Sequence, residues 1–200
     1  MPRRSPSRDE QHTRADARRN REKILSAASA VISESGADAS LEEIARRAVV
    51  GSATLYRHFP SRAALLQATF HDRVVTLCDR AEELAETADG PTALVAWLRE
   101  LVSHAAATRG LVAALVELPS VGRYEDSHRL IRQAGQRLLS RAQTVGSVNA
   151  DITVDDVLHL ANGVVVAAEA LGDAARSADR LMDIVVNGLV VQGRLQPLPK

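Results

Sequence analysis

Seven consecutive residues, Ser52-Ala53-Thr54-Leu55-Tyr56-Arg57-His58, bring together two hydroxyls, a phenol, a guanidinium and an imidazole around a single leucine. Their chemistry is recognition. Hydroxyls and an arginine bond phosphate oxygens, which position a protein on a duplex, and small side chains at a helix start let it approach base edges closely. Other chemistries find little to work with. His71 and Cys78 share a helix face, seven residues apart, but no third group or oxyanion site accompanies them. The six histidines are scattered, with neither an H-x₃-H spacing nor a cysteine pair, and no Gly-rich phosphate loop is present. Asp151, Asp155 and Asp156 read as capping and solvation at a helix start. The expectation is a chain that is not an enzyme and needs neither metal nor cofactor.

A helix that reads bases must be short, and a second helix packed across it must hold it in the groove. Ser40 to Leu66 supplies both. Ser40 can cap a helix whose apolar face is Leu41, Ile44, Ala45 and Ala48, with Glu43 completing a capping box. The reading helix is expected at about Ser52 to His58, ending before Pro60. In it Leu55 and Phe59, at i and i+4, face inward and leave Ser52, Ala53, Thr54, Tyr56 and His58 outward. A further helix opens after Ser61.

This segment closely resembles the DNA-binding head of the TetR family of transcriptional regulators. The resemblance rests on Ile44-Ala45, the block Thr54-Leu55-Tyr56-Arg57-His58-Phe59, the Pro60-Ser61 break, and Arg62 with Leu65, over roughly residues 20–70. It implies that Ser40 caps its helix and bonds a phosphate. Ser52, Ala53 and Thr54 would lie nearest the bases, Tyr56 and His58 would contact phosphates, with a base contact also open to Tyr56, and Arg62 would reach a phosphate in place of the family's usual lysine. Arg18, Arg19 and Arg21 would track the backbone or the minor groove from the arm side. One departure stands out: Ala48-Val49-Val50 replaces the family's Ala-Gly-Val. A β-branched residue at positive φ is strained by about 1–3 kcal/mol, so the turn holds either a strained Val49 or a rearranged backbone.

Composition frames the rest. The chain has 200 residues, 46% of them hydrophobic, with only two Phe, two Tyr and one Trp. The core must be Leu, Val, Ala and Ile, and with strand-like alternation scarce the chain reads as all-α. A single cysteine, Cys78, excludes an internal disulfide and fits a reducing cytoplasm. No signal-peptide core and no apolar run of the roughly 20 residues that span a bilayer is present, so no membrane partner is expected. Net charge is zero, but residues 1–60 carry 11 Lys and Arg against 8 Asp and Glu, a surplus of +3 beside the reading helix.

The expected layout is a disordered basic arm (1–13), a helix-turn-helix domain (14–60), a helical body (61–192) and a flexible tail (193–200), with about nine helices in all. The first helix should span 15–35 and end at Gly36, and the fourth 61–85. Asp89-Gly90-Pro91 then opens a fifth, and Gly110 separates it from a sixth over 111–118. Three more are expected over 124–145, 153–171 (capped by Thr153) and 177–191. In the family the body binds a small-molecule effector and dimerises. The resemblance therefore implies a homodimer joined through the small apolar faces Ala161, Val164, Val165 and Ala168 and Ile184, Val185 and Leu189, with Gly163 and Gly188 allowing close approach. A pocket would draw on Phe70, Val74, Cys78, Trp97, Leu101, His104, Leu115, Leu138, His159 and Asn162, with His104 or Asn162 orienting an apolar ligand.

The reading is a ligand-responsive regulator, a repressor released from a palindromic double-stranded DNA operator by a small molecule. The alternative is a helical dimer that binds a small molecule or protein and no longer reads DNA.

Overall fold

The computed structural model describes residues 8–36, 39–116, 122–171 and 173–189. Among these residues the chain is helical, with eight helices. In chain order they are α1 (Arg8–Ser35), α2 (Leu41–Arg47), α3 (Ser52–His58), α4 (Arg62–Thr87), α5 (Gly90–Val116), α6 (Gly122–Thr144), α7 (Val154–Glu169) and α8 (Ala174–Leu189). Two differences from the expected layout have physical causes. Residues 8–13 belong to α1 and not to a disordered arm, since one charged helix continues through them; residues 1–7 and the tail from 190 lie outside the described residues. Gly110 does not break the chain. A helical glycine costs only about 1 kcal/mol against alanine, and α5 continues past it, with Leu101 and Val102 buried before it and Leu111 and Leu115 buried after it.

The chain forms two compact units. The first comprises residues up to Asp72 together with the end of α5 from Gly110; the second comprises Arg73–Arg109 and the residues from Gly122 onward. One division falls inside α4 and another inside α5.

In the first unit, α1 buries the stripe Ile24, Leu25, Ala28, Val31 and Ile32, as its period demands. It stops at Gly36, which takes φ +66°. Ser61 opens α4 by accepting the Ala64 N–H at 3.1 Å.

In the second unit, Trp97 is fully buried and donates its indole N–H to the Leu77 carbonyl at 3.1 Å. Its ring lies against α6 at Gly135, where a Cβ would stand 2.9 Å from the ring. At Gly90 a Cβ would lie 2.9 Å from the Arg141 backbone carbonyl, so the first turn of α5 rests directly on the α6 main chain. Asp89 caps α5 by accepting the Thr92 N–H at 2.8 Å. A complete capping box opens α7: Thr153 Oγ1 accepts the Asp156 N–H at 3.2 Å, and Asp156 accepts the Thr153 N–H at 2.9 Å. Ion pairs Arg80–Glu100, Arg109–Glu169 and Arg99–Asp183 lie across the unit's surface.

Candidate DNA-reading head and the ligand body

The reading helix α3 spans the expected residues, and its two sides separate cleanly. Leu55 and Phe59 are buried at 1% and 3% exposure, whereas Ser52, Ala53 and Arg57 are exposed and Tyr56 is 49% exposed. Thr54 and His58 are half-buried. Gly51 precedes the helix and supplies its carbonyl to the N–H groups of Thr54 and Leu55. The floor beneath is apolar: Ile44 and Ala45 of α2 and its C-cap Ala48 are all buried, and the Arg21 guanidinium lies 5.4 Å over the Phe59 ring. Arg21, expected to track the DNA backbone or minor groove, stacks here on the hydrophobic seam. Arg18 and Arg19 pair with Glu22 and Asp16 on their own helix.

The turn between α2 and α3 is closed by two hydrogen bonds. The Val49 N–H donates to Arg46 O at 3.2 Å, and the Val50 N–H donates to Ala45 O at 3.0 Å. This is a Schellman cap, and it requires a left-handed residue at Val49. Val49 accordingly has φ +55°, unique among described non-glycine residues, and its side chain is 86% exposed. Of the two outcomes open from sequence, the strained valine is the one found. Because so little packing would be lost, Val49→Gly is expected to stabilise the head by about 1 kcal/mol, raising its melting temperature by about 2–4 °C. An unchanged or lower melting temperature in a thermal scan would contradict the strain.

The cap of α2 departs from expectation. Ser40 Oγ does accept the Glu43 N–H at 3.3 Å, but it donates to Glu42 at 2.8 Å, and no reciprocal bond from Glu43 closes the box. Two guanidiniums hold Glu43 instead: Arg46 and Arg47 both donate to it at 2.7 Å. Hydrogen bonds from Arg46, then Arg47, lower its carboxyl to about 2. Arg47 also forks onto Glu34 of α1 at 2.6 and 2.7 Å. Arg62 is part-buried, and its Nη1 donates to the Ala39 carbonyl at 2.7 Å.

In the second unit the expected ligand-pocket residues separate. Val74, Trp97, Leu101 and Leu138 are buried, Cys78 is half-buried, and burial, aided by the Asp79 carboxylate, pushes its thiol up. His104 is half-buried on α5, and burial together with the Arg73 guanidinium lowers it to about 4, so it is neutral near pH 7. Phe70 and Leu115 belong to the first unit. His159 and Asn162 are exposed on α7 and do not face a core pocket. His159 instead borders an open groove of about 630 Å³ between α7 and α8, lined also by Leu160, Gly163, Ala167, Leu181 and Ile184.

That groove also revises the expected dimer face. Ala161, Val165 and Ala168 are 2–3% exposed and Val164 6%, packed inside their own chain. The outward side of α7 also carries small and apolar residues, Gly163, Val166 and Ala167, beside Asp156, His159 and Asn162, and small residues alone do not say which side turns inward. The outward face carries Leu160 at 43% and Ile184 at 59% exposure, with Val185 half-buried beside them. The Leu189 side chain lies outside the described residues. Neither Gly163 nor Gly188 makes a close approach within the chain. Among the described residues no His, Cys, Asp or Glu cluster could hold a metal ion, and no helix is long and apolar enough to cross a membrane.

A short helix with a polar outer edge, held on an apolar seam by a capped partner, defines a helix-turn-helix DNA-binding protein. Residues 24–69 match the family described as bacterial regulatory proteins, tetR family, and residues 89–191 match the transcriptional regulator SbtR-like C-terminal domain. The chain belongs to the TetR family of transcriptional regulators. It is similar to the TetR transcriptional regulator SCO0520 from Streptomyces coelicolor, with 38% identity over 86% of this chain and 99% of that one, TM-score 0.76. The TetR transcription regulatory protein from Mycobacterium vanbaalenii is 35% identical over 90% and 99%, TM-score 0.71. The transcriptional regulator FadR from Bacillus subtilis, solved with stearoyl-CoA, shares the fold at 18% identity over 84% and 98%, TM-score 0.60. No curated protein matches the chain.

Proposed function

We propose that the chain is a homodimeric repressor that reads a palindromic operator with α3 and leaves it when a small molecule binds the second unit. The observation that carries this is the split of α3: Leu55 and Phe59 anchor it while Ser52, Ala53 and Tyr56 stay open. In this reading Ser52, Ala53 and Thr54 approach base edges, Tyr56 and His58 bond phosphates, and Ser40 reaches a phosphate by turning its hydroxyl away from Glu42. The retained left-handed turn at Val49 favours DNA reading over a module that has lost it, because the turn closes with its hydrogen bonds intact. Two heads must meet successive major grooves about 34 Å apart, and an effector that binds better to another head spacing releases them. The stearoyl-CoA bound by the FadR regulator supports a small-molecule site in a body of this fold. In the second unit here, His104, half-buried on α5 beside Arg73, is the polar group we assign to orient such a ligand.

For dimerisation, the outward α7–α8 face with Leu160, Gly163, Ala167 and Ile184 is the surface we assign. Selection from random duplexes followed by gel shift tests the whole reading. Wild-type protein is expected to enrich a two-fold symmetric sequence, and Ile184→Asp to sediment as a monomer and lose the shift. No enriched sequence at moderate salt would sink the repressor; an Ile184→Asp variant that stays dimeric would move the interface elsewhere.

A further inference from the structure

We propose that Arg62 acts in DNA reading as a positioning residue that sets the entry into α2, and not as a phosphate grip; this rests on the DNA-reading function proposed above. The helical ladder of α2 begins with the Ser40 carbonyl, which accepts the Ile44 N–H at 3.0 Å. The Ala39 carbonyl stands one residue earlier, outside that ladder, on a residue that is 1% exposed. A carbonyl there needs a partner from elsewhere in the chain. Arg62, the first residue of α4, reaches across 23 sequence positions to supply it, Nη1 to oxygen at 2.7 Å.

The anchor matters because the residue next to Ala39 starts α2. Ser40 is the N-cap of that helix, and its hydroxyl, already engaged with the Glu43 N–H and the Glu42 carboxylate, leads the helix that supports α3. At the other end of α2 the Arg47–Glu34 fork ties it to α1. The helix is thus held at both ends by guanidiniums that bond protein oxygens. Ser61 caps α4 beside Arg62 through the Ala64 N–H, which fixes the root from which the side chain extends.

The two roles differ in how binding responds to salt. A lost phosphate contact weakens all duplexes alike and flattens the slope of log affinity against log salt by about 0.9. A lost positioning contact weakens only the specific complex and leaves the slope unchanged. The experiment is fluorescence anisotropy from 50 to 300 mM salt (about the accessible range) with the selected operator duplex and a scrambled duplex. Wild type, Arg62→Met and Arg62→Lys are compared, each below its own melting temperature. Arg62→Met is expected to lose about tenfold in operator affinity with the wild-type slope and unchanged binding to the scrambled duplex. Arg62→Lys, charged but without the planar fork, recovers only part of the loss, and it keeps the test open should the methionine variant fail to fold. A shallower slope in Arg62→Met, or a loss in Arg62→Met that Arg62→Lys restores in full, would establish the phosphate grip. Unchanged operator affinity in both would reduce Arg62 to packing alone. A wild-type protein that enriches no sequence overturns the functional reading itself, which separates the two failures.

Discussion

Tyr56→Ala is expected to lower operator affinity by about 10- to 100-fold, or about 1.4–2.8 kcal/mol, while leaving the folded protein almost untouched. Tyr56 is 49% exposed on the outer edge of α3, so truncating it removes far less buried area than truncating a core side chain. The neighbouring residue gives the contrast. Leu55 is 1% exposed, and Leu55→Ala is expected to cost about 2–5 kcal/mol of stability. Two adjacent residues thus separate reading from folding: at Tyr56 the gel shift disappears and the melting curve stays, and at Leu55 the melting curve moves first. Operator binding by Tyr56→Ala equal to wild type would remove the phenol from the interface and, with it, the assignment of this edge of α3.

Trp97→Ala is expected to destabilise the second unit by about 3–5 kcal/mol, lowering its melting temperature by about 10 °C or more. The indole is fully buried, donates to the Leu77 carbonyl, and fills the space that Gly135 leaves open on α6. Trp97→Phe keeps much of the volume and loses the hydrogen bond, and it should fall between the two. Since Trp97 is the chain's only tryptophan, circular dichroism is the readout common to all three proteins. The measurement also decides what Trp97 is for. A loss below about 1 kcal/mol would mean that the ring lines open space for a ligand, as the sequence suggested, and is not a packed element of the core.

The head was legible in the sequence because short-range rules determine it. Ser40, Gly51, Phe59 and Ser61 bound α2, α3 and the start of α4 where capping and turn chemistry place them. The i, i+4 pair Leu55 and Phe59 specifies which side of α3 is buried. Even the substitution at Val49 was informative, since the hydrogen bonds of the turn demand a left-handed residue whatever its side chain. The body was less legible because its outcomes depend on long-range competition, and the head shows the same effect once. Glu43 leaves the capping box for two arginines, one of them bonded also to Glu34 on another helix, 13 positions from Arg47. Gly110 reads as a stop, yet the buried residues around it override the local preference. The same limit applies to α7: small apolar residues occur on both of its sides, and only the packed structure distinguishes the face turned to its own chain from the face left outward.

Asp89-Gly90-Pro91 reads in the sequence as a break between two helices, the sort of place an engineer would choose for a tag or a protease site. The contact of Gly90 with the α6 main chain, secured by Arg141 bonding the Ala85 and Ala88 carbonyls, makes it the reverse. Extra residues there would lift α5 from its seat, and a protease that needs an extended strand of substrate finds the backbone already held by its neighbour. The junction is a weld, and insertion or nicking at this point should be among the least tolerated changes in the second unit.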